Sequence, residues 1–372
     1  MVKVISAGHI CLDITPVFPA GKNYAHLSDL LIPGKLIQTG AASVHTGGSV
    51  ANTGLALKLL GNDVTLLGKV GNDALGGMVR RILSDYGAGG LIVDENSSTS
   101  YSVVLAVPGI DRIFLHNPGA NDTFTADDIP EEALEDTALF HFGYPTLMRR
   151  MYEENGRELE GMFRRVKDHD IATSLDLAAV DAASDAGKAD WKAILTRVLP
   201  LVDFFVPSFE ELCFMLDRPR YEALSAQGSD ITEMSGILND ADGLAKICLS
   251  MGCGAVLVKC GISGMAYRVG SRERLGQIGS RLRFDLEAWA NQSGVQPCFR
   301  ADIVRSGTGA GDVSIAAFLS AILQGEAPDA CARLAAAEGA ASVTSYDALG
   351  GILSIKELKR RINAGWKTME DQ

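Results

Sequence analysis

Apolar residues in this chain gather in short runs separated by longer amphipathic stretches. Val2 to Ile5 opens the pattern and runs on through Gly8 to Cys11-Leu12-Asp13. Val64 to Leu67, Leu139 to Phe142, Ala172 to Leu175, Phe204 to Val206 and Ala255 to Val258 repeat it. Continuous apolar runs of this length, bounded by turn residues, read as strands buried on both faces. Between them, Thr53 to Leu60 stops at Gly61 and Ala74 to Tyr86 stops at Gly87. A glycine just past an apolar-periodic stretch closes a helix. Strands alternating with helices predict an α/β fold built on a mostly parallel, doubly wound sheet.

Some stretches break the rhythm. Tyr101 to Val107 and Ile113 to Leu115 are extended runs around Pro108-Gly109-Ile110-Asp111, which predicts a hairpin. Met265 to Arg268 follows Ala255 to Val258 across the turn Gly261-Ile262-Ser263-Gly264. The stretch from Thr15 to Val44 is rich in turns, with weak extended character at Lys35 to Thr39. Residues 221–240 and 271–294 fit neither pattern and are expected to be insertions or surface excursions. Without a repeat or a low-complexity linker, residues 1–372 read as one domain.

Composition narrows the functional classes. A net charge of −12 lacks the clustered Lys and Arg that bind nucleic-acid backbones. The seven cysteines are scattered without a C-x-x-C pair, and the six histidines have no metal-ligand spacing. No apolar run approaches the ~18 residues of a membrane span, and no signal-peptide core opens the chain. A cytoplasmic protein without membrane or nucleic-acid partners is the expectation. No Gly-Lys pair is followed by Ser or Thr, so there is no Walker A loop. The first strand ends in Gly8-His9-Ile10-Cys11-Leu12-Asp13, which lacks a dinucleotide fingerprint.

Chemistry concentrates late in the chain. Arg305-Ser306-Gly307-Thr308-Gly309-Ala310-Gly311-Asp312 leads into the apolar run Val313 to Leu323. A glycine loop feeding a buried helix aims unpaired N–H groups and the positive dipole end at one point, which makes an anion site. Asp312 stands in the first turn, where an Asp caps a helix equally well. The residues alone leave both roles open.

Five stretches in one order resolve the choice. Asp13 is followed by Gly47-Gly48 with Asn52, then by Gly68-Lys69-Val70-Gly71-Asn72-Asp73-Ala74-Leu75-Gly76. Pro207-Ser208-Phe209-Glu210-Glu211, Val258-Lys259-Cys260-Gly261-Ile262-Ser263-Gly264 and Gly309-Ala310-Gly311-Asp312 complete the series. The set resembles the ribokinase-like (PfkB) family of carbohydrate kinases over nearly the whole chain. The resemblance implies a central sheet flanked by helices, with a small β-lid from about residues 14–46 and 98–120. It implies transfer of the ATP γ-phosphoryl group to a sugar hydroxyl, with Mg²⁺. Asp312 would be the general base, and Gly309, Ala310 and Gly311 the anion hole. Asp13, Gly47, Gly48 and Asn52 would bind sugar. Ser208, Lys259, Gly261, Gly264, Gly309 and Gly311 would lie against the nucleotide, and Glu211 would hold Mg²⁺ through water. Pairing of two copies through the lid is also implied.

The family pattern is not complete. Ser306-Gly307 stands where the family has Asp-Thr, Ser208 replaces Asn, and Lys259-Cys260 replaces Thr-Leu. A nucleoside kinase of the same family, or a silent sugar or nucleotide sensor, are the alternative readings.

Overall fold

The computed structural model describes residues 2–18, 24–110, 113–228, 231–283 and 285–371. Along the chain the strands are β1 (Lys3–Gly8), β2 (Cys11–Thr15), β3 (Ser43–Gly47), β4 (Asp63–Leu67), β5 (Lys69–Gly71), β6 (Ile92–Asp94) and β7 (Tyr101–Leu105). They continue with β8 (Ile113–Asn117), β9 (Thr137–Gly143), β10 (Ala172–Leu175), β11 (Phe204–Phe205), β12 (Ala255–Lys259), β13 (Met265–Val269) and β14 (Ser293–Gln296). Eight of them form one sheet in the order β14-β13-β12-β11-β10-β9-β1-β4. Every neighbouring pair from β12 to β4 is parallel, and β13 and β14 add an antiparallel edge.

Parallel strands need cover on both faces, and successive residues supply two different cores. Val4, Leu139 and Phe204 join the cluster that holds Val313, Phe318 and Trp289. Ile5, Phe140 and Phe205 point the other way, into the cluster of Phe163, Trp191 and Leu212. The uniformly apolar runs of the sequence are therefore two interleaved faces.

A separate four-stranded sheet, in the order β3-β2-β7-β8, forms the lid. β2 runs antiparallel to β3 and parallel to β7, and β7 pairs antiparallel with β8. Ile10 and Leu12 pack it onto Val50, Leu55, Leu66 and Val79. The helix Ser49–Leu59 lies close against the main sheet because of Gly54. A Cβ there would come within 2.4 Å of the Leu66 Cδ2.

The expected hairpin is present as β7 and β8, with Asp111 of its turn outside the described residues, as are residues 19–23 of the first lid segment. The rest of the lid differs from expectation. Lys35 to Thr39 forms no strand, and the other two lid strands are β2 and β3. Asp13 therefore stands in the lid, not at the end of the first strand of the main sheet. The apolar run misleads because His9 and Ile10, both buried, link the two strands without a polar break. The helix expected from Thr53 begins a turn earlier, at Ser49, with Gly48 at φ 87 as its N-cap. The two irregular stretches are largely exposed, yet each is anchored in a core. Leu224, Ile231 and Ile237 belong to one core, while Leu275, Ile278, Leu282 and Trp289 belong to the other. Residues 229, 230 and 284 within them lie outside the described residues. Among the described residues no helix is long and apolar enough to cross a membrane.

One side chain fixes the junction between lid and body. Asn121, fully buried, accepts from the Ile10 N–H at 3.1 Å and donates to the Ile10 carbonyl at 2.9 Å. Asn121→Ala leaves both backbone groups buried without a partner, a loss of roughly 2–4 kcal/mol. Urea denaturation measures it, and a loss under ~0.5 kcal/mol would mean that the junction is held elsewhere.

Candidate active site

In an open parallel sheet, loops gather beyond the carboxyl ends of the strands. Here Tyr144 follows β9, Asp176 follows β10, and Ser208 lies just beyond β11, while Lys259 ends β12. Two helices start over the same region, Ser49–Leu59 and Ala310–Leu323, both buried along most of their length. Their first turns meet at Asp312, which is 4% exposed. Asn52 Nδ2 donates to one carboxylate oxygen at 3.0 Å, and Thr53 Oγ1 to the other at 3.1 Å. The Tyr144 hydroxyl bridges both oxygens at 2.9 and 2.8 Å. Asn52, a sugar contact by expectation, thus spends its amide N–H on orienting Asp312.

The glycines of the loop have different tasks. Gly309 is the N-cap of its helix at φ 76, and a Cβ on it would meet the Ala348 Cβ at 2.3 Å. Gly311 has ordinary helical space around it: its Cβ would lie 3.7 Å from the Lys259 Cε. First-turn N–H groups of a helix lack intrahelical partners; that of Ala310, expected in the anion hole, is given to the Gly307 carbonyl at 3.3 Å, which leaves those of Gly311 and Asp312 on the Lys259 side. Ser306, at the family's Asp position, accepts from the Thr308 N–H at 3.2 Å and so shapes the loop itself.

Lys259 is held on the other side. Its ammonium lies 2.8 Å from Asp176, with side-chain exposures of 11% and 2%. Burial pushes the Asp176 carboxyl above its ordinary range, Lys259 opposes that shift, and Glu211 and Asp312 add to it. These charges therefore share one region. Ser208 bridges to Lys259 through the backbone and caps the helix Phe209–Leu216. Glu211 closes this capping box, with its Oε2 accepting from the Ser208 N–H at 2.7 Å. One oxygen of the expected metal-side carboxylate thus serves the helix terminus. Gly261 (φ 53) and Gly264 (φ 103) close the turn from β12 to β13, a conformation that accounts for both.

Asp13 stands half-buried on lid strand β2. A Cβ on Gly47 would fall 2.2 Å from its Oδ2, so the glycine is what lets the carboxylate lie there. Burial raises its pKa; hydrogen bonds from Cys11 and Ser102 and the nearby His45 counter the shift. Gly48, at φ 87, packs against His9, where a Cβ would stand 2.6 Å from Nδ1.

Tyr144, Thr53, Asp176 and His9 are the residues that the motifs did not mark. Asp176 alone had a signal, as an acid directly after a buried strand. Tyr144 had none, since its left-handed backbone (φ 67) is not written in its residue type.

The difference between the glycines is testable. Gly309→Ala should cost at least ~1–2 kcal/mol from its backbone alone. Gly311→Ala should leave stability equal or higher, since Gly costs a helix roughly 0.5–1 kcal/mol relative to Ala. Thermal and urea denaturation compare them, and equal losses would contradict the assigned geometry.

The comparisons with known proteins agree with this architecture. The model of the "pfkB family carbohydrate kinase" matches residues 10–353. Fructokinase-1 of Zea mays is 30% identical over 149 residues, which are 39% of this chain and 42% of that protein. The chain thus spans about two-fifths of that relative's length. A sugar kinase of Archaeoglobus fulgidus, itself uncharacterized, is 24% identical over 80% of this chain and 98% of its own. Among solved structures, fructokinase with bound ATP from Xylella fastidiosa superposes with a TM-score of 0.69 at 18% identity, covering 97% of this chain and 98% of that one. Arabidopsis thaliana ribokinase complexed with ribose and ATP gives 0.67 at 20% identity, with the same coverages of 97% and 98%. At such identities these structures speak for the fold. With the family model covering residues 10–353, the chain belongs to the pfkB family of carbohydrate kinases and has its ribokinase-like fold.

Proposed function

We propose that this protein is a sugar kinase that transfers the γ-phosphoryl group of ATP to a sugar hydroxyl, with Asp312 as general base. The observation that carries this reading is the Asp312 carboxylate, oriented by Asn52, Thr53 and Tyr144 where two helix N-termini meet. A hydroxyl is a weak nucleophile until a positioned carboxylate accepts its proton in the transition state. Tyr144 spreads a single proton over both Asp312 oxygens. When it settles on one, the other has a lone pair for the incoming hydroxyl. The N–H groups of Gly311 and Asp312 stabilise charge on the transferred phosphoryl oxygens, and Lys259 adds its positive charge beside Gly311. Gly309 sets the loop direction that exposes those groups.

The residues present fit a nucleotide. A cradle of N–H groups next to a cation, kept open where Gly311 has no Cβ, suits a phosphate chain. Among the described residues no group of three or more His, Cys, Asp or Glu is arranged to hold a metal. Mg²⁺ therefore fits as an ion brought with the phosphates, which it would neutralise, with the second Glu211 oxygen reaching it through water. Ser208, Gly261 and Gly264 shape that side of the crevice.

Asp13, with Gly47 and Gly48 beside it, takes sugar hydroxyls, because a half-buried carboxylate needs donors that a polyol supplies. The matched fructokinases make D-fructose the first sugar to test. The seven free cysteines suit the reducing cytoplasm, where ATP is supplied.

In a coupled ADP-release assay with a panel of sugars and adenosine, Asp312→Asn should lower kcat by ~10²–10⁴ while sugar binding persists. Asp13→Ala should instead weaken sugar binding by ~2–4 kcal/mol in calorimetry and leave ATP binding nearly unchanged. Near wild-type turnover in Asp312→Asn would remove the base. Turnover of adenosine but no sugar would favour the nucleoside reading, and no ADP release with any acceptor would favour a sensor.

The outer edge of the lid supports a further proposal, that two copies pair through it. Strand β8 presents Phe114 and Leu115, 56% and 55% exposed, next to unpaired backbone groups. Two copies joining along this edge would cover both. Light scattering at micromolar concentration should give the dimer mass, and Leu115→Lys should shift it toward the monomer. A wild-type monomer would reject the pairing.

A further inference from the structure

His9 is 2% exposed, and neither of its ring nitrogens has a hydrogen-bond partner. Buried polar atoms in native folds are nearly always satisfied, so an orphan marks a place where something else binds. Its backbone is fixed: the N–H donates to the Gly143 carbonyl at 3.2 Å, and its carbonyl accepts from the Val50 N–H at 3.1 Å. The ring is thereby anchored where β1 leaves the main sheet for the lid.

What surrounds the ring gives its purpose. His116, on the outer lid strand, lies 5.3 Å away by ring centroids, and Tyr144 of the body lies 6.1 Å away. The lid register places Asp13 opposite Ser102 and Ser102 opposite His116. Ser102 Oγ and His116 Nδ1 are 3.1 Å apart. A rim of polar groups thus runs from Asp13 through Ser102, His116, His9 and Tyr144 to Asp312. Its two ends are carboxylates, and its middle consists of hydroxyls and imidazoles.

Burial, followed by the field of His116, pushes the pKa of His9 down to about 3, and burial lowers that of His116 as well. A neutral imidazole carries one donor and one acceptor. A hydroxyl offers the complementary pair, whereas an anion would meet carboxylates at both ends of the rim.

We propose that His9 reads one hydroxyl of the substrate, its unmet ring hydrogen bonds being completed by a polyol that enters between the parted lid and body. The proposal rests on the sugar-kinase reading and assigns the residue that sets which hydroxyl pattern is accepted. A substrate with hydrogen at that position would leave the ring unpaired, the arrangement that gives enzymes their sharpest discrimination. Cys11, Asp13 and His45 mould the lid end of the rim, whereas His9 lies at the seam between lid and body.

The test pairs His9→Leu with D-fructose and analogues that lack one hydroxyl at a time. The wild type should prefer D-fructose over one particular deoxy analogue by ~10²-fold or more in kcat/KM. In His9→Leu that ratio should fall below ~5-fold while the ratios at the other positions persist. An unchanged ratio at every position would overturn the proposal. Folding is checked separately. Leucine removes two unsatisfied polar atoms, so the unliganded variant should melt at or above the wild-type temperature. Binding is read without turnover as the rise in melting temperature caused by D-fructose, D-ribose or adenosine. A rise with at least one of them that shrinks in His9→Leu supports the role of His9. Equal rises, or none with any of the three, defeat it. Stabilisation without ADP release would refute kinase activity and leave the role of His9 standing.

Discussion

The structure turns on the placing of one carboxylate. Asp312 is buried at the meeting point of two helix N-termini, where the dipoles favour negative charge. Its position costs little only because Asn52, Thr53 and Tyr144 satisfy it from two other elements. Those three donors need the Ser49–Leu59 helix close to the sheet, which Gly54 permits, and the chain after β9 bent into a left-handed turn at Tyr144. Sheet order, helix approach and turn geometry all converge on the same two oxygens.

A second constraint is the seam between lid and body. β1 passes directly into β2, so one continuous backbone serves both sheets, and Asn121 clips the crossing at Ile10. Lys259 faces the opposite wall of the crevice already paired with Asp176. A phosphate that arrives there must share that cation with a buried acid. In the proposed reading the pair would temper affinity for anions while keeping the ammonium in place.

Much of this is visible in the sequence because it is periodic or local. The strands of the main sheet stand out as apolar runs, and the glycine loop before Val313 announces a helix terminus. The S-x-x-E capping box at Ser208 and Glu211 is also written in the sequence, in the same glutamate that the family pattern assigns to the metal side. Other features depend on contacts between distant segments. His9 and Asp13 lie in one apolar run, and nothing in residue order says that it changes sheets between them. Tyr144 meets Asp312 across 168 positions, and no spacing rule anticipates that. Lys35 to Thr39 has strand-like composition but pairs with no strand among the described residues.

The parallel pairing of β2 with β7 also has a consequence for how the chain acquires its shape. Leu12 pairs early with Thr46 but meets its second partner only when Tyr101 is available, and Ile5, beside Thr65, finds Phe140 only later still. Closing such long loops is slow, because their entropy is lost before the contacts that reward it are made. During synthesis the first two strands therefore wait with open edges while the intervening helices form. The segment that links lid to body is thus made well before the strands that enclose it.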